Sequence, residues 1–178
     1  MRYYLTNMTV LDSWRRAHGL LGPDVAAAFG MRAEELRLVG QASPDKLHEW
    51  SSIDTPLVRP LRGLLAALHD DDMDPIYGFI VDTRTRFSRP ELKSTLHAFN
   101  RQMLGHWHTA LCRGEELSRY ELDPADCGAI ATAAEHGFHD WAEIPLAMAV
   151  PRDGLIRALA EASGSALYAL IGPWRQAS

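Results

Sequence analysis

The sequence predicts an all-α protein made of two similar helical halves. Three observations lead there. Alanine and leucine dominate and β-branched residues are sparse outside short patches, which favours helix. Apolar residues recur mostly at spacings of three and four in several stretches, as an amphipathic helix requires. The chain also resembles itself. A shift of 91 residues lays Phe29–Leu68 on Tyr120–Leu159 without a gap. His48, Trp50, Ile53, Pro60 and Gly63 then meet His139, Trp141, Ile144, Pro151 and Gly154, and Ala42, Ala67 and Leu68 meet Ala133, Ala158 and Leu159. An alanine- and leucine-rich chain aligns easily with itself. A matched His-x-Trp and a matched Pro-x-x-Gly-Leu at one offset argue for repetition instead. The expected organisation is a first repeat over 1–71, a linker over 72–88 that is acidic and then basic, and a second repeat over 89–178, the two packed as a pseudo-dimer.

Leu11–Leu21 should form the first helix, with Leu11, Trp14 and His18 on one face. Gly22-Pro23-Asp24 breaks it and starts a short helix to Phe29, which Gly30 ends at a turn needing positive φ. Arg32–Gln41 follows, with Leu36 and Val39 inward. The spacing over Val25–Val39 fits a helix–turn–helix, with Ala26 at the close crossing, Gly30 in the turn and Met31 as an apolar turn residue. An alanine-rich helix closed by a glycine C-cap and followed by another helix gives the same spacing. Ser43-Pro44-Asp45 is a start signal with an N-cap, a proline at the first helical position and an early acid, opening a helix over 44–51. Thr55–Arg59 should be extended between Pro56 and Pro60, and Leu61–His69 helical. The acidic run Asp70–Pro75 lacks calcium-loop spacing and reads as solvated linker. Ile76–Thr83 fits a strand or a buried helical turn equally well.

The longest helix should run Arg89–Cys112, opened by the capping-box pattern Ser88-Arg89-Pro90-Glu91, with Leu92, Leu96, Phe99, Met103 and Trp107 inward. Asp123-Pro124 opens another helix, Pro124–Glu135. Ile144–Val150 is the second extended stretch, and Arg152–Ala162 and Ala166–Ile171 close the chain.

The 178 residues carry a formal charge of −5, whereas a protein holding nucleic acid by bulk charge is normally basic. Cys112 and Cys127 give neither a disulfide framework nor a Cys-x-x-Cys pattern, and no leader or membrane-spanning run is evident, so a cytoplasmic protein is expected. No Gly-x-Gly-x-x-Gly, Gly-x-Ser-x-Gly or His-Glu-x-x-His occurs, and no enzymatic activity or cofactor is expected. The nearest approach to a metal cluster is His106, His108 and Cys112. His108 and Cys112 share a helix face while His106 points elsewhere, with His136 or His139 as an outside contributor, so no bound metal is expected. His48 and His139, each beside a tryptophan, read as core or interface imidazoles.

The run from Ala26 to Pro60 resembles the FlhD family, the D subunit of the bacterial flagellar master activator, and the shorter regulators related to it. The residues carrying this are Phe29-Gly30, Glu34-Glu35, Leu36 and Val39, Ser43, Leu47, and Leu57-Val58-Arg59, preceded by the amphipathic Leu11–Leu21. The likeness spans about residues 8–68 and, through the repeat, extends more weakly to 95–160. It implies an all-α fold, dimerisation, and activation of transcription on DNA together with a zinc-binding C subunit of the FlhC type that makes much of the DNA contact. This chain departs from the family in carrying two copies, and nothing in it points to flagellar promoters.

A DNA-associated co-regulator is therefore the first functional expectation, with a helical adaptor or chaperone that binds no nucleic acid as the second. Homo-oligomerisation is open in either case, and no membrane association is expected. Five arginines are the candidate DNA contacts. Arg84, Arg86 and Arg89 form the most basic patch of the chain and lie beside a helix N-terminus, a combination suited to phosphate. Pairing with the acids of 70–74 is the competing role for them. Arg32 and Arg37 lie on the recognition-like helix, where Glu34 and Glu35 oppose phosphate.

Overall fold

The computed structural model describes residues 3–72, 74, 76–78, 89–115, 117–133 and 135–161. They are mostly helical, with a small antiparallel pair of strands. In chain order the elements are α1 (Tyr4–Leu21), a 3₁₀ helix (Pro23–Phe29), α2 (Ala33–Gln41), α3 (Pro44–Ser51), β1 (Val58–Pro60) and α4 (Leu64–His69). Then come α5 (Pro90–Cys112), a second 3₁₀ helix (Leu117–Tyr120), α6 (Pro124–Thr132), α7 (Glu135–Ala142), β2 (Ala149–Pro151) and α8 (Leu155–Ala160). The Ala166–Ile171 helix and most of the linker expected from sequence lie outside the described residues.

Local signals placed several elements where the chain puts them. The Ser43 hydroxyl accepts the Lys46 N–H at 3.3 Å, and the Asp123 carboxylate accepts the Asp126 N–H at 2.8 Å. Each satisfies a donor that the first turn of a helix leaves free. Other elements differ from expectation. Helix α1 begins at Tyr4 instead of Leu11, because Thr6 and Asn7 are buried in the interior. The stretch before Gly30 is a 3₁₀ helix, tighter than the α-helix a helix–turn–helix would use. Arg89, with extended backbone, caps α5 in place of Ser88 and contributes no side-chain cap bond. The expected helix Pro124–Glu135 ends at Thr132, where Ala133 turns the backbone, and α7 starts at Glu135.

Helices α1 and α5 cross antiparallel. Thr9 meets His106 at 3.2 Å, Ser13 meets Gln102 at 3.3 Å, and the Arg89 guanidinium reaches the Leu21 carbonyl at 3.5 Å. Around this pair one continuous core draws on both halves, including Leu11, Trp14, Phe29 and Leu36 from the first and Phe99, Leu104, Trp107 and Ile130 from the second. The inward residues expected on α5 (Leu92, Leu96, Phe99, Met103 and Trp107) are all buried. Trp50 on α3 and Trp141 on α7 are both buried.

Two buried asparagines fix the long helices to the segments that lead into the strands. Asn7 Nδ2 donates to the Thr55 carbonyl at 2.9 Å and the Ser51 carbonyl at 3.3 Å, while its Oδ1 accepts the Leu57 N–H at 2.9 Å. Asn100 does the same with the Leu146 and Ala142 carbonyls and the Met148 N–H, at 2.9, 3.3 and 2.9 Å. The backbone partners differ by 91 positions and the asparagines by 93, so the two-residue difference falls between the long helix and the 3₁₀ helix. The strands pair with Arg59 opposite Val150, its own counterpart at the 91-residue shift, flanked by Val58 with Pro151 and Pro60 with Ala149. Beyond the strands the backbone bonds Leu61 N–H to Met148 carbonyl (2.9 Å) and Arg152 N–H to Leu57 carbonyl (3.0 Å) continue the pairing on both sides.

Candidate nucleic-acid interface

Helix α2 turns Leu36 and Val39 into the core and leaves Arg32 and Arg37 exposed. Arg32 is its N-cap. The Glu35 carboxylate reaches back to the Arg32 N–H at 2.9 Å, half of a capping box. The other first-turn acid, Glu34, pairs with Arg157 of α8 at 3.1 Å. Both partners are largely exposed, so the pair contributes little stability, though it offsets the negative charge that Glu34 places beside Arg32. Arg89 is exposed at the start of α5, at the end of the α1–α5 pair. Arg84 and Arg86 lie outside the described residues. The structure thus puts Arg32 and Arg37 on one helix and Arg89 at the head of another.

Sequence reasoning passed over two further arginines. Arg157 and Arg152 join Arg32 around a cleft of about 330 Å³, together with Gly30, Glu35 and Asp153. Arg152 is buried. Its Nε donates to the Pro56 carbonyl and one Nη to the Arg119 carbonyl, each at 2.8 Å, and the other Nη meets the Glu121 carboxylate. Burial pulls its pKa down and the neighbouring Glu121 opposes that fall. Held by three partners, this guanidinium is a structural group of the cleft wall, which leaves Arg32 and Arg157 as its outward cations. No sequence signal announced it, because those partners lie between 31 and 96 positions away.

A second concavity, about 600 Å³, runs along the α1–α5 seam. Short side chains on α5 (Ser94, Thr95 and Ala98) open it, and Asp12, Arg16 and Glu91 give it mixed charge.

Of the core or interface role expected for His48 and His139, the core one is not met. His48 and His139 are exposed, not core residues. His48 Nδ1 lies 2.9 Å from the Tyr4 hydroxyl, and the His139 ring lies edge-on to His97. His106 is part-buried against Thr9, and burial lowers its pKa. His108 faces Phe138 edge-on and lies 3.7 Å from Cys112 Sγ along the same helix. Among the described residues no three His, Cys, Asp or Glu side chains converge as a metal cluster would require. Among the same residues no helix is long and apolar enough to cross a membrane. Compared with protein-family models, curated proteins and solved structures, the chain matches none.

Proposed function

We propose that this chain is a bacterial transcription co-regulator, built as two tandem FlhD-like repeats paired about a pseudo-twofold axis and associated with DNA together with a partner subunit of the FlhC type. The observation that carries this reading is the resemblance of Phe29–Arg59 to that family, joined to a mostly helical fold. Three features support the tandem arrangement: the equivalent bonding of Asn7 and Asn100, the pairing of Arg59 with its counterpart Val150, and the burial of both Trp50 and Trp141.

DNA contact is assigned first to Arg84, Arg86 and Arg89, and second to Arg32 and Arg37. The inter-repeat arginines have no acid among them until Glu91, whereas Glu34 and Glu35 sit at the first turn of α2. With a net charge of −5 the phosphate contacts must be local or shared with the partner. That same acidity favours the second reading, a helical adaptor that binds protein alone.

Mobility shift at several salt concentrations, with the partner present, tests both. The triple substitution of Arg84, Arg86 and Arg89 to Ala should lower the salt slope by about one unit for each lost phosphate contact. Arg32→Ala with Arg37→Ala should have the smaller effect. An unchanged slope in the triple variant with lost specificity in the double one moves the contact to α2. No effect from either, or no shift at all, leaves the adaptor.

A further inference from the structure

We propose that His97 and His139 form a two-imidazole site for a divalent transition metal of the zinc or nickel class, one that ties α7 to α5. The rings come from different helices, His97 from α5 and His139 from α7, and their centres lie 5.1 Å apart with planes at 78°. Imidazole binds zinc at about 2.0–2.1 Å, so two rings sharing a tetrahedral ion have centres about 5.2 Å apart. The spacing of the centres matches that of a chelating pair, and a turn of each ring about χ2, which leaves its centre nearly in place, would bring one nitrogen of each toward a shared ion. His139 is exposed and His97 half-buried, so water can fill the remaining coordination positions. Imidazole nitrogen is a good ligand for these ions, whereas magnesium and calcium prefer oxygen.

The first half of the chain supplies an internal comparison. Counting back 93 positions on the long helix and 91 on the short one leads from His97 and His139 to Tyr4 and His48. That pair also meets edge-on, with ring centres 5.4 Å apart, and its phenol and imidazole are 2.9 Å from one another. The backbone thus brings side chains together at both places. A protonated phenol is a poor metal ligand, so only the second pair has two metal-binding nitrogens. The site was hidden in the sequence because its ligands are 42 residues apart and His97 belongs to no short motif. It also departs from the sequence expectation of no metal, which weighed His106, His108 and Cys112 with His136 or His139 but not His97.

The test is zinc titration of the untagged protein, followed by calorimetry and by the melting temperature with and without the ion. One equivalent should bind the native chain and raise its melting temperature, since the ion binds the folded state. His97→Tyr and His139→Ala should each weaken binding at least tenfold and remove the thermal shift, while their metal-free melting stays near that of the native chain. Tyr4→His should add a second equivalent. The proposal fails if His97→Tyr retains the ion, if Tyr4→His still binds one equivalent, or if only His108→Ala abolishes binding, which would place zinc on the His108–Cys112 pair.

Discussion

Asn7 satisfies the Leu57 N–H just before β1 and two carbonyls at once, so Asn7→Ala leaves several buried backbone groups unpaired. A loss of about 2–4 kcal/mol in urea unfolding is expected, with a similar loss for Asn100→Ala. Asp126 shows the opposite imbalance. It is buried with one carboxylate oxygen accepting the Ala66 N–H at 3.3 Å and the other without a protein partner. Burial first, and then the nearby Asp123, raise its pKa. A raised carboxyl pKa means the folded state binds the proton more tightly than the unfolded one. Its stabilising contribution is fully present below the unfolded value and is lost as pH rises through the folded one. Asp126→Asn should therefore melt at or above the native temperature at pH 7, and the native protein should gain on it as pH falls toward 4. Melting of both proteins across that range checks this; a native chain that loses ground to the variant on acidification would contradict it.

Among the elements, the turn into α2 is constrained in both backbone and space. Gly30 has φ +63°, and a Cβ there would lie 2.5 Å from Val150 Cγ1 on the opposing strand. Gly30→Ala should cost about 2–4 kcal/mol by chemical denaturation, the sum of left-handed backbone strain and steric overlap. Val150→Ala in the same chain should recover the overlap and leave the backbone part. Glu121 stands 91 positions on with φ +61°, a non-glycine residue held in the left-handed region with its carboxylate on Arg152. Elements with local causes were legible in the sequence: the caps at Ser43 and Asp123, the apolar stripe of α5, the glycine turn. The start of α1 was not, because Thr6 and Asn7 look like surface residues until the carbonyls that Asn7 serves, 44 to 48 positions away, come into place. The like bonding of Asn7 and Asn100 was hidden for a simpler reason: the asparagines stand at an offset of 93, not 91. Of the candidate site, the exposure of Arg32 and Arg37 followed from helical periodicity, whereas the Glu34–Arg157 pair spans 123 positions and left no trace.

For the whole molecule, the continuous core implies that the halves melt together. Phe29 packs edge-on against Phe99, and Tyr120 against Tyr3, at ring distances of 5.6 and 5.4 Å. Each 3₁₀ helix thus ends on an aromatic of the opposite half. Calorimetry should give one transition, and residues 1–71 alone should lack cooperative melting, since a unit of about 70 residues buries too little apolar surface when half of its packing is missing. Trp50→Ala and Trp141→Ala should each cost about 3–5 kcal/mol and lower that single transition. Two resolved transitions, or a cooperatively folding fragment, would mean independent domains.

Arg152 shows what a single chain can do that a pair of identical chains cannot. Across the strands, the Ala147 N–H donates to the Ala28 carbonyl at 3.0 Å. The matching donor on the other side would be residue 56, which is proline and has no N–H, and the matching acceptor, the Arg119 carbonyl, receives the Arg152 guanidinium instead. Between two copies of one polypeptide, a proline at this place would remove both bonds, and one arginine codon would put two guanidiniums into the interior. Here the loss and its remedy each occur once. Under the proposed tandem arrangement the two sides are free to acquire different chemistry, as a heterodimer's are, without a second gene.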